Sequence, residues 1–212
     1  MSLQQLLNGL SLGSVYSMIA VGFAFVFNIL KFSNFSHGGV LTVTAYTGFL
    51  IATRFSLGLP FTLFFTSLAG GVLAVLIERV AFRRLRRNKS PVIFFFVSSI
   101  TMGILLENLI TIAFSSNFYS YPKFFQKTIL EWKGFHMAVT DFWMLVISLV
   151  VLGLLMGVLY RTKLGVAIRA LSMDPTTTLL MGANVDRIVM ATFFVVGILG
   201  GIAGVFLGIN YT

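Results

Sequence analysis

Few side chains in this 212-residue chain could do chemistry: it has six acids, two histidines and no cysteine. Without cysteine there is no disulfide and no thiolate ligand. His37 and His136 fall in separate loops, and a metal site needs several ligands together, so none is read here. The sequence holds no GxxxxGKS/T phosphate loop, no GxSxG and no HExxH. Glu78 stands beside Arg79 and reads as an interfacial ion pair. Glu131 and Asp141 lie in or beside one loop, Asp174 and Asp186 in another, and no two acids form a catalytic pair. Neither an enzyme nor a cofactor site is expected.

Two polar places interrupt long apolar runs. The first, KFSNFSHGG, sets Asn34, Ser36, His37, Gly38 and Gly39 between two such runs. The residues favour a plain loop with a turn at Gly38-Gly39. The alternative is a break between half-helices, whose free backbone groups would line a polar path. The second is Glu107-Asn108. Glu107 either faces a cavity, is protonated and hydrogen-bonded between helices, or reaches water. A proton relay lacks a second intramembrane acid to receive the proton.

The elements that must position these groups are membrane helices. The chain is 58% hydrophobic and only 10% charged, with a mean hydropathy of +0.98. Several apolar runs exceed the length that spans a bilayer. Backbone groups in lipid must be satisfied internally, and the runs are continuous rather than alternating, so they are helices. The expected fold is an all-α polytopic membrane protein forming a single domain over 1–212. Six spans are read: 3–30, 38–57, 60–82, 91–115, 141–160 and 188–210. The fourth has the clearest start, with Ser90 as N-cap and Pro91 at the first helical position. The first apolar run has no basic leader and no small-residue cleavage site, so it reads as a mature span.

The net charge of +9 is not a nucleic-acid signal, because the basic residues sit in short loops. Eleven of the fifteen (Lys31, Arg79, Arg83, Arg84, Arg86, Arg87, Lys89, Arg161, Lys163, Arg169 and Arg187) fall on one side. Arg54, Lys123, Lys127 and Lys133 fall on the other. The positive-inside rule makes the first side cytoplasmic and leaves both termini outside. The outer loop 116–140 carries Tyr119, Tyr121 and Trp132, whose rings suit an interfacial cap better than a dedicated ligand site.

Small residues mark where helices can approach closely in lipid. Gly9/Gly13 and Gly153/Gly157 form such pairs in spans 1 and 5. The last span has Gly197/Gly201, Gly200/Gly204 and Gly204/Gly208, which predicts that it is buried among other helices.

The longest structured polar segment is Gly165 to Arg187, on the cytoplasmic side. Asp174 and Pro175 form a helix start, and Gly182 a stop. Between them Leu179, Leu180 and Met181 form an exposed apolar patch. That patch suits a partner's groove, or a helix resting on lipid headgroups.

QQLLNGLSLGSVYSMIAVGFAFVFNIL, NFSHGG, IERVAFRRLR and GVAIRALSMDPTTTLLMGANVDR occur in this order, followed by a Gly/Ala-rich span. Together they resemble the permease subunits of branched-chain amino acid ABC importers, to which urea and short-amide permeases are related. The resemblance implies an inner-membrane protein paired with a second permease subunit. It also implies two cytoplasmic ATPases and a periplasmic solute-binding protein as partners. It makes Asp174 to Asp186, with Pro175, Leu179, Leu180, Met181 and Gly182, the coupling element that docks on an ATPase. It also raises the standing of the broken-helix reading of NFSHGG. Two departures stand out. Family members continue past Thr212 with further spans, so a shortened, non-transporting subunit is one alternative. The family pattern tends toward a neutral amide where this chain has Glu107. A self-contained secondary transporter or channel, using Glu107 and His37, is a further alternative from the residues alone.

Overall fold

A computed structural model describes residues 3–115, 119–125, 129–132 and 135–211. The chain is helical almost throughout. α1 (Leu3–Leu30) is followed after a short break by α2 (Ser36–Arg54). α3 (Leu59–Ile77) runs through a π-helical turn (Glu78–Phe82) into α4 (Arg83–Arg87). α5 (Val92–Phe114) leads to a hairpin of β1 (Ile129–Trp132) and β2 (Phe135–Ala138), antiparallel with Glu131 opposite His136. α6 (Val139–Arg161), α7 (Lys163–Met173), α8 (Pro175–Leu180) and α9 (Val185–Asn210) complete the described chain. Residues 1–4 and 126–136, which include Trp132 and His136, lie outside the described side chains.

Among the described residues, five helices are long and apolar enough to cross a membrane: Gln5–Leu30, Leu59–Arg87, Val92–Phe114, Val139–Arg161 and Val185–Asn210. The remaining expected span, 38–57, is α2. It runs beside the others, but Ser36, His37, Thr42, Thr44, Thr47 and Thr53 give it a polar content that sets it apart from the five.

α9 is the axis of the bundle, as its glycines predict. It packs on α3, α2 and α1, while α5 lies against α2 and α6 against α1. The α9–α3 seam is backbone on backbone. A Cβ at Gly197 would strike the Gly70 carbonyl, and one at Gly70 would strike that of Gly197. At Gly201 it would lie 2.6 Å from Ser67 Cα, and at Gly204 it would collide with Thr44 Oγ1. Thr44 in turn donates to the Gly200 carbonyl at 3.2 Å. In lipid, where apolar burial gives no advantage over lipid tails, this close approach is what holds helices together. The other two glycine pairs behave differently. A Cβ at Gly9, Gly13, Gly153 or Gly157 would meet nothing within 4 Å among the described residues.

Local details depart from expectation. Gly38 and Gly39 form no turn; they lie inside the first turns of α2, and the chain reverses at 31–35 instead. Ser90 does not cap α5; Pro91 takes the N-cap position with extended ψ, and the helix begins at Val92. The structured polar segment after span 5 begins with α7, an amphipathic helix that is not specified from the sequence. Thr162 caps it by accepting from the Gly165 amide at 3.1 Å. Gly165 is there because a side chain would collide with the Leu159 carbonyl at the α6–α7 corner.

Candidate functional site

The break between α1 and α2 is built around Asn34. Its Oδ1 accepts from the Ser36 amide at 3.2 Å and the Ser36 hydroxyl at 2.6 Å, satisfying a donor that a new helix leaves free. The segment is braced on α5. Ser99 Oγ accepts from the Phe35 amide at 3.3 Å, and a Cβ at Gly39 would stand 3.2 Å from the Gly103 carbonyl. Ser99 and Gly103 lie seven and eleven residues past Val92. At 1.5 Å per residue that is about 10 and 16 Å along α5, so α2 starts well down the length of its neighbour. The outcome is a break between two helices that lies inside the bundle, beside α5.

Asn34, Ser36, His37 and Gly39 are buried there, whereas Gly38 is exposed. The His37 ring sits between two glycines. A Cβ at Gly22 of α1 would lie 3.3 Å from its Cε1 and Nε2, and one at Gly200 of α9 would lie 3.5 Å from Cε1. The ring is within reach of the Ile19 backbone, and Nε2 has no hydrogen-bond partner among the described residues. Phe32, in the break itself, stacks at 5.3 Å on both Phe82 and Phe95.

At the same end of the bundle, α8 has the start and stop that Asp174, Pro175 and Gly182 predict. Asp174 Oδ1 accepts from the Thr176 amide at 2.8 Å and Oδ2 from the Thr177 hydroxyl. These bonds hold the Asp174 carboxyl below its ordinary value of 3.8. Gly182 has φ of 79°, and the Ala183 and Gly182 amides close on the Thr178 and Leu179 carbonyls. Thr178 points inward and is buried, while Leu179, Leu180 and Met181 are 62%, 80% and 82% exposed. Met173, 86% exposed, adds to the patch.

The molecule is thus a polytopic helical bundle with a buried polar break between α1 and α2 and a capped, apolar-faced helix outside it. The family model for the permease component of branched-chain amino acid transport systems matches residues 5–212. The chain belongs to this permease family. The high-affinity branched-chain amino acid transport system permease protein LivH of Salmonella typhimurium is 32% identical over 224 residues. The LivH protein of Escherichia coli is 33% identical over 224 residues, and the BraD permease of Pseudomonas aeruginosa 31% over 221. Each match covers 99% of this chain and 71% of the relative. No solved structure matches.

In this permease the second polar place, Glu107-Asn108, is not brought to the first. Both residues are exposed on α5, with Thr101 and Thr111 on the same side. Asn108 Nδ2 donates to its own helix at the Ile104 carbonyl, and Thr111 to that of Glu107. The Glu107 carboxylate thus points away from this chain's own helices.

Sequence reasoning missed two features of the permease. Glu78 pairs not with Arg79, which is exposed, but with Arg86 at 2.7 Å. The same Arg86 nitrogen reaches Asp186 Oδ1 at 2.7 Å, and Asp186 Oδ2 meets Arg87 at 2.9 Å and Arg83 at 3.4 Å. Asp186 is therefore engaged inside the chain, apart from the exposed face of α8. The spacing hid this pairing. Residues eight apart are about 80° out of register on an α-helix, but a π-helical turn takes up the extra residue and aligns them. The second feature is Tyr121, which enters the bundle rather than an interface. Its hydroxyl donates to the Ala45 carbonyl, and its ring fills the space left by Gly48 and Gly208.

Proposed function

We propose that this chain is the membrane-spanning subunit of an ATP-driven importer that moves branched-chain or other small amino acids across the inner membrane. The observation that carries this reading is the match to branched-chain amino acid permeases over 99% of the chain. The sequence has no phosphate loop, so energy comes from partners: two cytoplasmic ATPase subunits, with a second permease subunit and a periplasmic solute-binding protein. The charge bias puts both termini outside and α8 in the cytoplasm.

In this reading α8 docks on an ATPase through Leu179, Leu180 and Met181. Its caps at Asp174-Pro175 and Gly182 make it a preformed helix, which lowers the ordering cost of binding. ATP binding closes the ATPases, α8 moves with them, and the helices rock between outward and inward access. The path runs along the α2–α5 side. The break and the start of α2 supply Asn34, Ser36, His37, Gly38 and Gly39. The exposed α5 stripe supplies Glu107 and Asn108, because a carboxylate facing lipid would be strongly disfavoured and so faces water or the second subunit.

The test is reconstitution in vesicles with the neighbouring ATPase and binding-protein gene products. Uptake of labelled leucine is expected to require both ATP and the binding protein. Uptake driven by an ion gradient without ATP would instead establish a self-contained secondary transporter.

A further inference from the structure

The ion cluster at the α8 end has no place in the docking surface or in the path, and its geometry gives it another task. Glu78 is 0% exposed within the π-helical turn. Arg86 joins it to Asp186, the second residue of α9. Only Met181 to Asn184 separate α8 from α9, and Asn184 caps α9 by accepting from the Arg187 amide at 3.1 Å. Little else ties α8 down, since Thr178 is its one buried residue. A displacement of α8 therefore arrives at the first turn of α9. There Asp186 grips α4 through three arginines, and α4 continues into α3, which is interlocked with α9 at Gly70 and Gly197. The π-helical turn is further fixed from two sides. Ser98 of α5 donates to the Ala81 carbonyl at 3.2 Å, and Phe82 stacks between Phe32 and Phe193.

Stability alone is a poor account of such a cluster. A buried ion pair costs desolvation that its attraction barely repays, and well-packed apolar residues commonly do as well. A directional link that fixes one element against another is what such a pair adds. We propose that Asp186, held through Arg86 to the buried Glu78, is the positioning residue that transmits movement of α8 to the α3–α9 core, so that these elements move as one body. The proposal rests on the importer reading above and deepens it.

The experiment uses the full reconstituted complex and measures leucine uptake and ATP hydrolysis in the same vesicles, with ATPase retention on the purified complex as a docking control. Asp186→Asn is expected to raise the ATP hydrolysed per leucine about tenfold, within the usual range for coupling between separate sites, with the ATPases still bound. Asp186→Glu restores the ratio. The double variant Glu78→Met/Arg86→Met removes the charges while keeping bulk, and is expected to fold and to show the same raised ratio. A wild-type ratio in Asp186→Asn or in the double variant overturns the proposal, as does loss of the bound ATPases in Asp186→Asn, which would make Asp186 part of the docking face. A wild-type complex that takes up leucine without ATP overturns the importer reading itself, a result distinct from any of these.

Discussion

The two ends of this bundle are closed by different chemistry. At the hairpin end, rings close it: Tyr121 fits against Gly48 and Gly208 and meets Phe49 at 5.9 Å, while Tyr46, Phe49, Phe114 and Tyr119 pack on one another at 4.6 to 6.3 Å. At the α8 end, charge closes it, with Glu78 and Asp186 bound by Arg83, Arg86 and Arg87. Ring packing rests on shape and on tilted or edge-to-face contact, so it fills the end without tying many pairs of polar atoms across helices. Charged hydrogen bonds are directional and join named points on separate helices. In the proposed importer this difference matches the two tasks: the end that an ATPase would move has elements linked at fixed points, and the other end is filled by shape.

The largest effect should come from breaking the seam that both ends share. Gly197→Leu drives a side chain into the Gly70 carbonyl and Ala74 Cβ. Backbone cannot yield as a flexible side chain does, so the folded protein should be lost, as read by recovery of a monodisperse peak in detergent. Gly153→Leu, at a face with nothing within 4 Å, should leave the chain's own fold intact. Equal losses in the two variants would mean that Gly153 packs within this chain after all.

Next comes the α8 end. Leu179→Asp with Leu180→Asp should abolish ATP-dependent uptake. Thermal stability should change little, within about 0.5 kcal/mol per substitution, because both side chains face outward. Uptake near the wild-type rate would remove α8 from the docking role.

The hairpin end should respond in the opposite sense, in stability before transport. Tyr121→Ala empties the notch between Gly48 and Gly208 and should cost about 3–5 kcal/mol, the range for a large aromatic removed from a packed site. Tyr121→Phe keeps the ring and loses the hydroxyl with its bond to the Ala45 carbonyl, about 1 kcal/mol. Thermal melts of the two variants in one detergent decide it. If Phe costs as much as Ala, shape is not what closes this end.

How much of this was legible depended on whether the signal was local. The spans announced themselves as apolar runs, and α8 through Asp174, Pro175 and Gly182, residues whose backbone preferences act at their own positions. The burial of α9 was legible from its glycines, but its partners Gly70, Ser67 and Thr44 lie over a hundred residues away. The Glu78–Arg86 pairing was hidden because it needs a π-helical turn, which no residue type signals. α7 was not read as a helix, because the corner that Gly165 permits against the Leu159 carbonyl is a contact between elements that sequence does not show. Within NFSHGG, Gly38-Gly39 signalled a turn, yet both lie in a helix; Gly39 there fits beneath Leu106 and Gly103. Asn34 ended the preceding break by a side-chain bond that composition does not distinguish from a loop.

The smallest expected effect concerns the cap of α8, and its sign follows from the Asp174 carboxylate. Bonds from Thr177 and Thr176 lower its pKa below the ordinary 3.8. A group depressed in the folded state contributes above its unfolded pKa and loses that contribution as pH falls through the folded one. The cap should therefore be constant from neutral pH down to about 5 and weaken only below 3.8, with no dependence in the physiological range. Hydrogen exchange at the Thr176 to Thr178 amides, followed against pH and corrected for intrinsic rates, reads it directly. Asp174→Asn keeps an acceptor and should protect these amides nearly as well at neutral pH, whereas Asp174→Ala should not. A loss of protection already at pH 6 would show that another group holds α8, and would turn attention to the charged end of the bundle rather than to the helix's own cap.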